Sequence, residues 1–189
     1  MKRLITIFLA VMVMVTGFAQ ICNAAPVEWS SHPDNLVHYY DLIHVTEGIN
    51  WNSARQTAEE SIYMGSSGYL ATITSDPESN FIALLASQAD PADYIWVGGF
   101  QPIGSPEPAG NWQWVTGEVW GYTNWHSTEP SNGLPNEDAL ELKPAIYGRQ
   151  WNDELHDTTR YWYIVEYSVP EPTTLFLLTL GGLLLRKKK

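Results

Sequence analysis

The sequence has a single cysteine in 189 residues, Cys22, so no intrachain disulfide can staple its core. It is also short of positive charge, with 10 Lys and Arg against 21 Asp and Glu and a net charge of -11. The shortage is sharper in the middle of the chain. Lys2, Arg3 and the run Arg186 to Lys189 sit at the ends, which leaves Arg55, Lys143, Arg149 and Arg160 among the 20 acidic residues between Pro26 and Ser168. Such a surface repels phosphate backbones and excludes a nucleic-acid partner. Enzyme signatures are missing as well: there is no Gly-x-Ser-x-Gly elbow, no glycine-rich phosphate cradle and no His-Glu-x-x-His helix. His32, His38, His44, His126 and His156 show no paired metal-ligand spacing. Glu129 and Glu137 share a loop, but two loop acids of unknown separation do not make a glycosidase pair. The chain therefore reads as a non-enzyme.

Aromatic residues are plentiful, with nine Trp and ten Tyr. They supply the apolar surface for one packed core, which a disordered acidic chain lacks. The two ends read as addresses. Met1 to Ala25 has a basic start, an apolar stretch from Leu4 to Phe18 and small residues at Ala24-Ala25, as in a secretory signal peptide. Cleavage there removes Cys22, and Ile21 before it argues against lipoprotein processing. At the other end Val169-Pro170-Glu171-Pro172 precedes the apolar Thr173 to Leu185 and then Arg186 to Lys189. Thirteen helical residues reach only ~20 Å, short of a ~30 Å hydrocarbon core. This three-part order resembles the PEP-CTERM sorting signal of Gram-negative bacteria over residues 169–189. The resemblance implies processing by an exosortase, transient membrane association through the C-terminal segment, and delivery to the cell surface, the outer membrane or an exopolysaccharide matrix. The basic cluster fits retention on the cytoplasmic side until processing. The competing reading of that tail is a permanent anchor.

Between the addresses, residues 26–168 read as one domain. His38 to Val45 alternates as an early strand, and Trp51, Ala54, Ala58 and Ile62 recur at helical spacing behind an Asn50 or Asn52 cap. Gly65 and Gly68 mark its end, and Tyr69 to Thr74 reads as a short strand. Ser75-Asp76-Pro77-Glu78 then forms a capping box for a helix carrying Phe81, Ile82, Leu84 and Leu85, which stops near Asp90-Pro91. Beyond Tyr94 come short aromatic strands at Tyr94 to Val97, Trp112 to Val115 and Arg160 to Tyr167. A long stretch rich in Pro, Gly, Asn and Glu separates Trp120 from Trp151, and long loops of this kind are often functional. The element order predicts an α+β fold, with two helices packed beside antiparallel sheets and a long acidic loop.

From Tyr39 to Glu166 the ordered motifs resemble the C-type lectin-like domain. They are Trp51 with Ala54, Gly68 to Ile73, Ser75 to Asn80, Ile95-Trp96-Val97-Gly98-Gly99 and Asn111-Trp112-Gln113-Trp114. The series continues through Asn124-Trp125, Glu129-Pro130, Glu137-Asp138, Trp151-Asn152-Asp153 and Tyr163-Ile164-Val165-Glu166. The resemblance implies that fold, with one departure: Ala139, His156 and Val165 stand near positions where the family has cysteines. Losing such bridges removes a few kcal/mol of loop constraint, which a dense Trp/Tyr core can offset.

The resemblance also implies a Ca2+ site at Glu129, Ser131, Glu137, Asn152 and Asp153. Calcium takes 6–8 oxygen ligands, and these residues supply carboxylate, amide and hydroxyl oxygens from separate segments. Ser131 replaces the family's usual Asn, and its shorter side chain leaves room for a bridging water. The same resemblance implies a cis Pro130 and sugar binding through Glu129, Ser131, Glu137 and Asn152, with Glu-Pro-Ser leaving the sugar class open. A second, supporting site would draw on Asn132, Glu137 and Asp138, but its upstream ligands fall at Ser105 and Ala109 and leave it incomplete unless Glu107 substitutes. Trp96, Trp112, Trp114 and Trp151 read as core, while Trp120, Tyr122 and Trp125 fit either core or a sugar platform. The function expected is an exported, calcium-dependent carbohydrate-binding module that engages a glycan or exopolysaccharide. The alternative is a calcium-independent structural or protein-binding adhesion domain.

Overall fold

The computed structural model describes residues 25–171 apart from 33, 35 and 135. Met1 to Ala24 and Pro172 to Lys189 lie outside the described residues, and with them most of both expected sorting signals.

The chain opens with β1 (Val27–Trp29) and β2 (Leu36–Ile49), then helix α1 (Trp51–Glu60). Asn50 caps α1 by accepting the Ser53 N–H at 2.9 Å, and Trp51, Ala54 and Ala58 form its buried face. Ile62 does not continue that stripe as its spacing predicts. The helix stops at Glu60, and Ile62 lies 73% exposed in a two-residue hairpin, β3 (Ile62–Tyr63) with β4 (Ser66–Ser67). The cause is the returning chain. Gly68 donates its N–H to the Ser61 carbonyl at 3.0 Å and fills the space beside the Ala58 carbonyl that another helical turn would need.

The strand expected over Tyr69 to Thr74 is only β5 (Tyr69–Leu70). Beyond it Ala71 still bonds Ile164 O and the Gly98 N–H through its backbone, and Thr72 and Ile73 remain buried outside the strand. Helix α2 (Asp76–Leu85) starts at Ser75, whose hydroxyl accepts the Glu78 N–H. Glu78 does not close the box on the cap residue. Its carboxylate accepts the Thr74 N–H at 2.7 Å and the Tyr40 hydroxyl at 2.6 Å, tying the helix to β2.

After α2 come β6 (Ile95–Phe100), β7 (Gln113–Trp114), β8 (Ala139–Leu142), β9 (Trp151–Glu154) and β10 (Arg160–Pro170). The sheet order is β1-β2-β10-β6-β8-β9, with β5 added on β10 and β7 on β6. Every pairing is antiparallel except β10 with β6. The longest ladder runs from Arg160 opposite Ile49 to Pro170 opposite Leu36, so the end of β10 lies beside the start of β2. β6 approaches residues 70–71 so closely that a Cβ on Gly98 would collide with the Leu70 carbonyl.

Two apolar clusters form the core. One joins Ile82 and Leu85 of α2 to Ile73, Ile95, Leu140 and Trp151, and the other joins α1 to Leu70, Trp96, Ala139 and Val165. Each such fully buried aliphatic contributes about 1.5–3 kcal/mol. Ala139 and Val165 are thus packing residues, while His156 is hydrogen-bonded to the Asp138 carboxylate at 2.6 Å. Among the described residues no helix is long and apolar enough to cross a membrane.

Candidate functional site

The long loop leaves the core through an aromatic stem. Trp120 lies 4.5 Å from Trp114 and stacks on Trp112 at 5.7 Å, and Trp125 meets Trp112 edge-on at 5.0 Å. Trp151, fully buried, meets Trp114, Trp125 and Tyr122 edge-on at 5.6 to 5.7 Å. Backbone bonds reinforce the stem: Trp151 N–H donates to Asn124 O at 2.8 Å and His126 N–H to Trp151 O at 3.0 Å. Trp120, Tyr122 and Trp125 are half-buried and pack against the core, so they root the loop.

Beyond the stem the chain carries the expected site residues. The Glu129–Pro130 peptide is cis, as is Glu107–Pro108. Asp153, on β9, accepts the Ser131 N–H at 3.0 Å and the Asn132 N–H at 2.8 Å, one on each carboxylate oxygen. Asn132 adopts a positive φ of 47° and accepts the Glu137 N–H through its side chain at 3.1 Å. The Glu137 carboxylate and the Ser131 hydroxyl then flank Gly133, whose absent Cβ would sit 3.6 Å from one and 3.7 Å from the other. The fold thus brings Glu129, Ser131, Glu137, Asn152 and Asp153 together.

Lys143 stands among them, and its role was not read from the sequence. Its Nζ donates to Glu129 Oε1 at 3.0 Å and to Asn152 Oδ1 at 2.9 Å, with the Tyr147 ring 5.6 Å away. The available signal was that Lys143 is one of four basic residues in the acidic middle, between Glu137-Asp138 and Asn152-Asp153. Asn152 also donates through Nδ2 to Glu141 Oε1 at 2.9 Å, and Glu141 is held in turn by Arg160 at 2.6 and 3.1 Å. A buried, fully bonded chain of this kind fixes the Asn152 carboxamide with its oxygen toward the site.

The titration behaviour of the acids divides them. Burial raises Glu129, but hydrogen bonds from Ser131 and Lys143 and the Lys143 charge hold it below its ordinary value. Glu137 is raised by burial and by the charge of Asp153. Burial raises Asp153 despite the two backbone N–H groups it accepts, and raises Glu107 with help from Asp138 and Asp153. Of the neighbouring carboxylates Glu129, Glu137 and Asp153, Lys143 meets Glu129, while Asp153 repels Glu137, so negative charge remains uncompensated. Glu129 Oε2 is also buried with no partner. An all-oxygen donor set with an orphaned carboxylate oxygen and excess negative charge fits a hard divalent cation such as calcium. For the supporting site, Asp138 turns to His156, while Glu107 comes near enough to Asp138 and Asp153 to feel their charge.

The histidines differ from their sequence reading. His32 and His38 stack with ring centroids 4.0 Å apart, and Asp34 reaches both. On a continuous strand a six-residue separation would hold them roughly 20 Å apart, and a bend at Asp34 before β2 brings them together.

Comparison with known proteins gives the lineage. Residues 47–163 match the lectin C-type domain, and residues 168–189 match the PEP-CTERM protein-sorting motif. The chain is 30% identical over 143 residues to halomucin of Haloquadratum walsbyi, covering 69% of this chain but only 1% of halomucin. It is 25% identical over 154 residues to the alpha-N-acetylgalactosamine-specific lectin of Patiria pectinifera, covering 75% and 84% of the two chains. The crystal structure of the C-type lectin CEL-I from Cucumaria echinata superimposes with a TM-score of 0.61 at 21% identity, over 77% of this chain and 98% of that one. The match over residues 47–163, on a fold of two helices beside a mostly antiparallel sheet, places this chain in the C-type lectin domain family.

Proposed function

We propose that the protein is an exported carbohydrate-binding module without catalytic activity. Its sugar hydroxyls engage a calcium ion held by Glu129, Ser131, Glu137, Asn152 and Asp153. The observation that carries this reading is the charge excess at the loop tip: Lys143 pairs with Glu129, Glu137 is left facing the charge of Asp153, and Glu129 Oε2 has no partner. The lectin relatives support the glycan as partner, and one of them is named for specificity toward alpha-N-acetylgalactosamine. In this reading residues 1–25 direct export, 26–168 form the binding domain, and 169–189 are handed to an exosortase that leaves the domain at the cell surface or in an exopolysaccharide matrix. The sorting motif supports that route.

A second reading has its own observation. Lys143 Nζ already bridges Glu129 and Asn152, so the domain could bind its partner without calcium, as an adhesion module. Retention of purified full-length protein on immobilised glycans, with calcium and with chelator, separates the two. Glu137→Ala and Asn152→Asp should both abolish calcium-dependent retention. Retention that ignores chelator and both substitutions would replace the first reading by the second.

A further inference from the structure

Away from the loop tip, β2 and the segment before it hold a cluster that the lectin reading does not use. His32 Nδ1 lies 3.0 Å from Asp34 Oδ1, and His38 Nε2 lies 3.1 Å from the same oxygen. One ligand atom from each of the three residues falls within a mutual span of 4.8 Å. A tetrahedral zinc with bonds of about 2.0–2.1 Å separates its ligand atoms by roughly 3.3 Å, so the two nitrogen–oxygen distances are already near that edge.

The outer nitrogens differ. His38 Nδ1 is bonded to the Glu166 carboxylate at 2.6 Å, and His32 Nε2 faces Glu118 at 3.9 Å. Thr72 Oγ1 ties those two carboxylates together, at 2.8 Å from Glu118 and 3.2 Å from Glu166, and the Thr72 N–H adds a bond to Glu166 at 2.9 Å. His38 thus bonds an outer carboxylate through one nitrogen and the shared Asp34 through the other, while the outer nitrogen of His32 faces Glu118 beyond hydrogen-bond reach. The His38 arrangement is how ligating histidines are oriented at metal centres, where the outer carboxylate fixes the tautomer and sharpens the inner lone pair. Trp29 closes the His32 ring from one side at 5.7 Å. His38 is 2% exposed, whereas the Asp34 side chain is 38% exposed and opens the cluster to solvent. The pattern of two buried imidazoles, one solvent-facing carboxylate and an entry path meets the requirements for a metal centre with a free fourth position.

We propose that His32, Asp34 and His38 form a site for zinc or a similar late first-row divalent ion, with water as the fourth ligand. Imidazole nitrogen selects such ions over calcium and magnesium, so this site and the oxygen-lined loop take different metals.

The test is titration of untagged, purified full-length protein with Zn2+, and with Co2+ as a spectroscopic probe, beside Ca2+ and Mg2+. One equivalent of Zn2+ should bind in the presence of excess Ca2+, and Co2+ should develop the visible bands of a tetrahedral nitrogen–oxygen site. His32→Ala should weaken Zn2+ binding at least 100-fold and Asp34→Asn at least 10-fold. Glu166→Gln, which weakens only the outer partner of His38, should cost about 10-fold. Glu137→Gln at the loop tip should leave Zn2+ affinity unchanged. His32 and Asp34 lie outside the strands, so their variants stay informative even where a His38 variant does not fold. Absence of stoichiometric Zn2+ binding, or wild-type affinity in His32→Ala, would overturn the proposal and leave the cluster as a hydrogen-bonded clasp between the first strands and β10.

Discussion

Residues 120–125 and residues 129–137 belong to one long loop, yet different forces hold them. The stem is a stack of indole and phenol rings on Trp112, Trp114 and Trp151, cemented by backbone bonds to β9. Its stabilisation comes from apolar burial and ring packing, which do not depend on which ions are present. The tip is held by Asp153 accepting two backbone N–H groups and by Lys143 reaching Glu129 and Asn152. Those contacts are charged and incompletely balanced. A cation can therefore rewrite the tip while leaving the stem in place, and the loop keeps its root without a disulfide.

The comparison can be broken most forcefully at Trp151, which belongs to the stem but positions Asn152 and Asp153. Trp151→Ala should cost about 3–5 kcal/mol, seen as a large fall in Tm, and should release stem and tip together. Calcium is the next largest effect. About 10 mM calcium acting on a ~10⁻⁴ M site adds about 2.7 kcal/mol, and amide hydrogen exchange should slow over residues 129–137 while residues 120–125 stay as they were. Equal protection of both segments would dissolve the distinction. Lys143→Met should change sign with conditions: without calcium it costs about 1–3 kcal/mol by stranding Glu129, and with calcium it removes a like charge and raises affinity at least ~10-fold. Chemical denaturation with and without chelator reads both. Ser131→Asn is the gentlest change, restoring a side-chain carbonyl, and should tighten calcium by roughly 1 kcal/mol in a calorimetric titration.

Much of this division is written locally. The Asn50 and Ser75 caps and the alternation of His38 to Val45 each signal their element within a few residues, and all three elements are present. What failed did so where distant chain decides. Ile62 extends a helical stripe that only the return of Gly68 interrupts. β1 is three residues long, and β8 shows no alternation because Ala139, Leu140, Glu141 and Leu142 are all buried, with Arg160 supplying the counter-charge for Glu141. In the loop, motif order pointed to the acids and Asn152, but not to the lysine between them, since which acid a lysine meets is fixed by the β8–β9 pairing. The pairing of His32 with His38 was likewise hidden, because no regular spacing encodes a bend.

The flanking of β2 by β1 and β10 has a mechanical meaning. Val27 lies opposite Tyr40, and Tyr40 lies opposite Glu166, so β1 and β10 run the same way on either side of β2. The chain before Val27 and the chain after Pro170 therefore leave the sheet in opposite directions. Force applied between them would run lengthwise along the strands and load the rungs in parallel, so that many must fail together. The same sheet would yield one rung at a time only to a force that lifts β1 sideways from its edge.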